Sequence, residues 1–291
     1  MPNLKEVRNR IQSVISTMQI TSAMKMVSAA KLKRAQDAIV KLRPYSQKLS
    51  EIMSNLSGNL EDVGSSLAEK REIEKVLVVA VNSNRGLCGA FNANVHKEVK
   101  RLMREEFEGK TVHVLGLGKK AHELFKKADQ KIASGDLSGE HYGIYDNLDY
   151  KHVSTIGDKV ISAFEQGHYD KVVVVYNEFK NAASQNLKTE AFLPVELPEG
   201  VEASSTDYTF EPAQAEIITD LLPRALKTQL YKSLLDSHAS EHGARMTAMH
   251  KATDNASDML HDLKLSYNKA RQAAITTEIL EIVAGAEALD G

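Results

Sequence analysis

The sequence predicts an α/β fold: a long antiparallel α-helical coiled coil formed by the N- and C-terminal helices, plus a Rossmann-like α/β domain with a mainly parallel sheet. Three observations predict it. Of the 16 glycines in the 291 residues, 13 lie between Gly58 and Gly200. Residues 3–57 hold no glycine and one proline, Pro44, while residues 224–284 hold no proline and one glycine, Gly243. Turns need Gly and Pro and helix interiors reject them, so two long helices flank a turn-rich middle. Second, both ends carry apolar residues at coiled-coil spacing. Third, the middle alternates strand-like and helix-like stretches. The expected domains are 1–57, 58–207 and 208–291.

The first helix has a seam at Leu4, Val7, Ile11, Val14 and Met18, with steps of 3, 4, 3 and 4. It continues less strictly through Ile20, Met24 and Val27. Helices over 3–57 and 224–284 would span about 80 and 90 Å, whereas a compact chain of this size is only about 50 Å across. They must project, and a projecting apolar seam needs a partner. Each is the other's nearest candidate, and one enters the middle domain as the other leaves it, so the pair is antiparallel. Pro44 is a candidate break near Arg43 that would end the paired stretch.

In the middle, Val76–Val81, Val112–Leu117 and Lys171–Tyr176 read as strands, and Glu190–Leu197 as a fourth at an edge. Helical patterns fall at about 93–107, 119–128 and 151–166.

The last helix shows Met249, Ala252, Ala256, Met259 and Leu263, then Tyr267, Ala270 and Ala274 after a one-residue slip. From Ile275 to Leu289 it is rich in Ile, Leu, Val and Ala, with acidic but no basic residues. If this stretch outruns its partner, its apolar tip needs a socket on another protein.

Composition excludes several classes. Lys+Arg is 37 against 39 Asp+Glu, a net charge of −2, which argues against a generally basic nucleic-acid binder. Aromatics are 5% and Trp is absent, so base-stacking platforms are unexpected. The single Cys88 forms no internal disulfide. Residues 1–57 hold ten Lys/Arg and three Asp/Glu. Lys25, Lys31, Lys33 and Arg34 in that helix are either a solvated face or a track for acidic partner surfaces.

Candidate chemistry has bland readings beside it. Gly116-Leu117-Gly118-Lys119-Lys120-Ala121 approximates the dinucleotide fingerprint, with Asp136 near the ribose-binding distance, or is simply a tight strand-to-helix turn. His238-Ala239-Ser240-Glu241-His242 places two imidazoles and a carboxylate on a helix as in a zinc peptidase, or is a set of solvated polar residues. Cys88 beside Arg85 is a candidate nucleophile, or a buried structural thiol in a Gly-rich turn. There is no G-x-x-x-x-G-K-[ST] phosphate loop. An NAD(P)-binding α/β protein with a coiled-coil oligomerisation arm is the alternative these features leave open.

Several stretches resemble the gamma subunits of F-type, rotary ATP synthases. Ile20-Thr21-Ser22-Ala23-Met24-Lys25-Met26-Val27-Ser28-Ala29-Ala30-Lys31 resembles that family's N-terminal helix. Arg85-Gly86-Leu87-Cys88-Gly89-Ala90-Phe91-Asn92 resembles its first βα loop. Ser240-Glu241-His242-Gly243-Ala244-Arg245-Met246, Ala252-Thr253-Asp254-Asn255-Ala256 and Tyr267-Asn268-Lys269-Ala270-Arg271-Gln272-Ala273-Ala274-Ile275-Thr276 are similar to its C-terminal helix, with Glu278, Glu281, Gly285 and Ala286 at the spacing of its terminal signature. The likeness runs in order along the whole chain.

The resemblance implies a rotor shaft of bacterial type, without a catalytic site or cofactor of its own, coupling ion flow through the membrane to ATP chemistry on beta subunits. Its implied partners are the ring of alpha and beta subunits, epsilon and the membrane c-ring. Its implied place is peripheral, on the cytoplasmic face of the cell membrane. Arg271 and Gln272 match the catch on a beta subunit, Met24 and Lys25 the part facing the beta lever region, and Arg85, Gly86, Cys88 and Gly89 a structural βα loop. Ile279, Ile282, Val283 and Leu289 fall in the tip that would turn in an apolar bearing. The sequence departs from the family at Gln19 and Ser22, where lysines are common, and at Ala90 and Gly243, which replace a usual Gly and a usual Ala. Gly243 is therefore expected to soften the rod, since Gly costs about 1 kcal/mol of helix propensity relative to Ala.

Overall fold

The structure is a computed structural model. It describes residues 4–56, 66–69, 71–126, 133, 137, 141–195 and 214–290, without the side chains of residues 50, 53–56, 214–216 and 287–290. The elements are α1 (Leu4–Leu56), β1 (Lys75–Val81), α2 (Phe91–Arg101), β2 (Thr111–Leu117), α3 (Lys119–Lys126), a 3-10 turn (His141–Tyr145), α4 (Tyr150–Glu165), β3 (Lys171–Phe179), β4 (Gln185–Leu193) and α5 (Gln214–Asp290). Contacts divide the chain into two compact units, Met1–Ser28 with Met246–Gly291, and Ala29–Arg245.

Both long helices exist, and both run through a proline. Pro44 lies inside α1 and does not break it near Arg43. A proline there removes one backbone donor and orphans the carbonyl four residues back. Pro44 and Val40 are exposed, so water can satisfy the Val40 carbonyl. α5 likewise continues through Pro223, so it begins earlier than residue 224.

In the first unit the buried side of α1 is Leu4, Val7, Ile11, Val14, Met18, Thr21, Lys25 and Ser28, an unbroken alternation of 3 and 4. Ile20 and Val27, expected on the seam, are exposed. Coiled-coil geometry follows the 3.5-residue repeat and not the residue's polarity, so Thr21, Lys25 and Ser28 occupy the seam. Hydroxyls at two of these positions bond back to the helix, Thr21 to the Met18 carbonyl at 3.1 Å and Ser28 to that of Met24 at 2.8 Å. On α5 the buried side is Met249, Thr253, Ala256, Leu260, Leu263, Tyr267 and Ala270, so the expected slip is absent. Met259 and Ala274 face solvent.

In the second unit the sheet order is β2-β1-β3-β4. β1 pairs parallel with β2 and β3, and β4 pairs antiparallel at the edge of β3. β1 is covered on both faces, which is why it reads as one apolar run. On one face Leu77, Val79, Val172 and Val174 pack with Val153, Val160 and Phe164 of α4 and with Leu222, Leu226, Leu230 and Leu234 of α5. On the other, Val76, Val78, Val173 and Val175 pack with Val95 and Val99 of α2 and Phe125 of α3. α5 therefore supplies part of the sheet's own core, at i, i+4 spacing. β4 starts five residues before the expected Glu190, because Gln185-Asn186-Leu187-Lys188-Thr189 is a half-exposed edge without an apolar run. Within this unit α1 continues its seam through Leu32, Ala35, Ile39, Leu42 and Leu49, and Ile52 packs beside Ile218 of α5.

Candidate functional site

In a parallel α/β sheet the crevice beyond the carboxyl ends of the strands is where a ligand would sit. Here the chain fills it. β1 ends at Val81, and Ser83–Ala90 forms the turn into α2, whose second residue is Asn92. Leu87 and Gly89 both take positive φ, 61° and 60°, so this turn is tightly wound. Cys88 is buried inside it, accepting from Asn92 Nδ2 at 3.2 Å and lying 3.8 Å from the Ser83 hydroxyl. Burial pushes its thiol up, opposed by the Ser83 hydrogen bond, so Cys88 is a packed thiol and not an activated one. Arg85, Gly86 and Gly89 of the same turn are exposed.

The glycines of the fingerprint-like turn serve close packing. Gly118 has φ +102°, and a Cβ there would collide with the Asn82 carbonyl oxygen. A Cβ at Gly116 would stand 2.8 Å from the Ala121 Cβ. The amides that open α3, where a pyrophosphate would bind, are taken: Lys119 N–H donates to Asn84 Oδ1 at 3.0 Å and Lys120 N–H to the Ser83 carbonyl at 3.0 Å. Asp136 lies outside the described residues.

Across the crevice run residues 238–245 of α5. His242 and Glu241 are buried, so the reading of this motif as solvated polar residues is wrong. The reason is that this stretch of α5 packs against Tyr145, the β1–α2 turn and the β3–β4 hairpin. The His238 ring stacks on Tyr145 at 5.8 Å and meets the His242 ring at 4.5 Å. Burial lowers His238 to about 4 and His242 to about 3, so both are neutral. Among the described residues no group of three or more His, Cys, Asp or Glu is placed to hold a metal. Glu241 and Arg245 form an ion pair at 2.6 Å, each with 8% of its side chain exposed. Burial pushes the Glu241 carboxyl up, opposed by the Arg245 guanidinium. Arg245 Nη2 donates to the Arg85 carbonyl at 3.0 Å and to that of Gly86 at 3.3 Å. Gly243 lies under the β3–β4 hairpin, and a Cβ there would stand 3.3 Å from Ala182 Cα and O. So Gly243 is a point of close approach, a role that its helix propensity alone does not signal.

The remaining predicted site residues lie along the long helices. Met24 and Lys25 are half-buried on α1, Lys25 on the seam itself. Lys31, Lys33 and Arg34 are exposed, and Lys33 pairs with Asp37 at 2.9 Å. Arg271 and Gln272 are exposed. Ile279, Ile282 and Val283 are 55%, 66% and 50% exposed. The side chain of Leu289 lies outside those described. Among the described residues no helix is long and apolar enough to cross a membrane. Sequence reasoning missed Thr21, Thr253, Glu241 and Arg245 as paired groups. The only available signal was the strict 3–4 spacing, which reaches Thr21 from Met18.

The comparisons agree with this anatomy. The family described as ATP synthase matches residues 3–289. A protein of Flavobacterium johnsoniae named ATP synthase gamma chain is 57% identical, with 100% of each chain covered. One of the same name from Chlorobium phaeobacteroides is 46% identical, again with 100% of each covered. Among solved structures, a chain of the Tetrahymena thermophila mitochondrial ATP synthase central stalk and c-ring is 25% identical with a TM-score of 0.56, covering 80% of this chain and 99% of that one. A chain of the Euglena gracilis mitochondrial ATP synthase shares the fold at a TM-score of 0.67 and 22% identity, covering 98% of this chain and 94% of that one. On this full-length match the chain belongs to the ATP synthase family, among the gamma chains.

Proposed function

We propose that this gamma chain works as the central rotor shaft of its ATP synthase, turning inside a ring of alpha and beta subunits while its α/β domain is driven by the c-ring and contacts epsilon. The observation that carries the reading is the tip. Ile279, Leu280, Ile282 and Val283 are all half or more exposed on a helix that offers no basic group from Ile275 onward. Such an apolar end is stable in water only when a partner surrounds it. A bearing of this kind holds without directional bonds, so it permits rotation.

The chemistry of ATP belongs, on this reading, to beta. The chain carries no phosphate loop, and its own groups fill the crevice where a nucleotide would sit. Arg271 and Gln272 are exposed and supply hydrogen-bond donors for the catch on one beta subunit. On this reading the lever region meets α1 at Met24 and Lys25, both only half-buried. A shaft built of two different helices offers each beta subunit a different face. Those differential contacts convert angular position into three nucleotide affinities. Arg85, Gly86, Cys88 and Gly89 are the structural turn that receives α5. The domain division 1–57, 58–207 and 208–291 follows these roles, and the place is the cytoplasmic face of the cell membrane, peripheral.

The test is reconstitution of alpha and beta with and without this chain. ATP hydrolysis should depend on the chain, and equal hydrolysis in its absence would refute the shaft.

A further inference from the structure

We propose that the Glu241–Arg245 pair is a rotational lock: Arg245 is the positioning residue that fixes the angular setting of α5 in the carboxyl-edge crevice of the sheet. The proposal rests on the shaft reading above, and asks what within the second unit resists twisting of the helix.

Two kinds of contact hold α5 there. Leu222, Leu226, Leu230 and Leu234 bury an apolar stripe in the sheet's core. Apolar contact is non-directional, so it holds a helix down without fixing its rotation about its own axis. Beyond Leu234 the contacts become directional. The Arg245 guanidinium is a rigid fork. One arm meets Glu241 on its own helix at 2.6 Å. The other meets two successive carbonyls of the β1–α2 turn, at Arg85 and Gly86. Those carbonyls are fixed in turn, because the wound loop is pinned from inside by Ser83, Cys88 and Asn92.

A buried ion pair is a poor source of stability, since desolvation offsets most of its attraction. What it supplies here is geometry. Without Glu241 the guanidinium would be a buried unpaired charge, and without Arg245 two carbonyls and a carboxylate lose their donor. Rotation of α5 carries Arg245 off both carbonyls, while Glu241, on the same helix, moves with it and keeps the guanidinium aimed. Gly243 lets the hairpin at Ala182 close on the same turn of helix, so the helix is gripped from two loops.

The experiment compares full ATP synthase complexes carrying wild-type chain, Arg245→Gln, Arg245→Lys or Glu241→Gln, each also assembled as the alpha–beta ring with this chain alone. Ring-only ATP hydrolysis should stay near wild type, since Arg245 is neither in the catch nor in the tip. In the full complex, ion pumping per ATP hydrolysed should fall several-fold for Arg245→Gln and less for Arg245→Lys, which keeps the charge but loses the fork. Amide exchange at residues 85–89 should quicken roughly tenfold or more in Arg245→Gln, as expected for lost charge-assisted bonds. If Arg245→Gln does not assemble, Arg245→Lys and Glu241→Gln carry the same test. Wild-type pumping per ATP in variants whose exchange has quickened overturns the lock. Ring hydrolysis that never depended on this chain would instead overturn the shaft, so the two failures are distinct.

Discussion

The Thr253 hydroxyl donates to the Thr21 hydroxyl oxygen at 2.8 Å, tying α5 to α1 across their shared seam. Two threonines thus stand where the repeat calls for apolar residues. A polar pair at such a position fixes register at a cost in stability. Thr253→Val should destabilise the first unit by about 1 kcal/mol, because Thr21 loses a donor in a part-buried site. The double change with Thr21→Val should lie closer to wild type than the single one, since no partner is then left unmatched. Thermal unfolding of the four chains, read as a double-mutant cycle, checks this.

Gly118 and Asn82 make a second testable contact. Any side chain at Gly118 meets the Asn82 carbonyl and must also adopt φ +102°. Gly118→Ala should therefore cost several kcal/mol, mostly from backbone displacement. Neither wild type nor Gly118→Ala should gain stability from added NAD. A dinucleotide-dependent rise in melting temperature of the wild-type chain, lost in Gly118→Ala, would contradict the packing role.

Much of this was legible in the sequence, and the exceptions have physical causes. β1, β2 and β3 declared themselves as apolar runs because both faces are covered. β4 did not, because an edge strand is free to be polar. The α1 seam was legible to Met18 and was then lost, since hydrophobicity points to Ile20 and Val27 while the repeat points to Thr21, Lys25 and Ser28. On α5 the choices of Ala252 over Thr253 and of Met259 over Leu260 created a slip that the helix does not have. Pro44 looks like a break, yet an exposed proline in a long paired helix is tolerated once water takes the orphaned carbonyl. The buried state of His238–Arg245 was hidden because burial there comes from loops 60 to 160 residues away in sequence, at Ala182, Tyr145 and Arg85.

Burial of His238 and His242 makes stability depend on pH. Their folded values of about 4 and about 3 lie below the ordinary 6.5. As pH falls below about 6.5 the unfolded chain takes up protons that the folded chain refuses, so stability declines with acidification. His96 and His141, also lowered by burial, add in the same direction. Asp236 opposes them: burial raises it from 3.8 to about 6, so around pH 5 the folded chain holds a proton that the unfolded chain has released. Glu241, its carboxyl also pushed up by burial, opposes them too, and the four histidines outnumber the two acids. Stability should fall from pH 6.5 to 5, and Asp236→Asn should steepen the fall by a slope that grows toward about 1.4 kcal/mol per pH unit near pH 5, the value of one proton. Asp236→Asn should also be more stable than wild type at pH 7. Denaturant midpoints across this range are the measurement, and an unchanged slope in Asp236→Asn would count against the buried carboxyl.

Gly243→Ala sets two known effects against each other. Alanine in a helix interior is worth about 1 kcal/mol over glycine. Its Cβ would stand 3.3 Å from Ala182, close enough that the hairpin must shift by a few tenths of an ångström. That hairpin is exposed at its tip and held by Asn181 Oδ1, which accepts from the amides of Ala183 and Ser184. It can yield as a body, so Gly243→Ala should be neutral within about 1 kcal/mol. Gly243→Val, whose branches cannot be accommodated by so small a shift, should be clearly destabilising. Thermal unfolding of the two variants separates close approach from helix softness, because softness alone predicts that both stiffen the rod.

Arg271 and Gln272 separate the shaft's function from its stability. Both are exposed. Arg271→Ala and Gln272→Ala should therefore leave the chain's unfolding within about 0.5 kcal/mol of wild type. The reconstituted alpha–beta complex should behave differently, because a catch acts only when a partner offers acceptors. Its ATP turnover should fall roughly fivefold or more, the scale of a coupling free energy between distinct sites. Arg271→Lys should recover part of the loss if charge matters, and little if the planar fork does. Turnover at the wild-type rate in both alanine variants would remove these two residues from the coupling path, and would leave the exposed Ile279, Ile282 and Val283 as the part of the helix to examine next by substitution with aspartate.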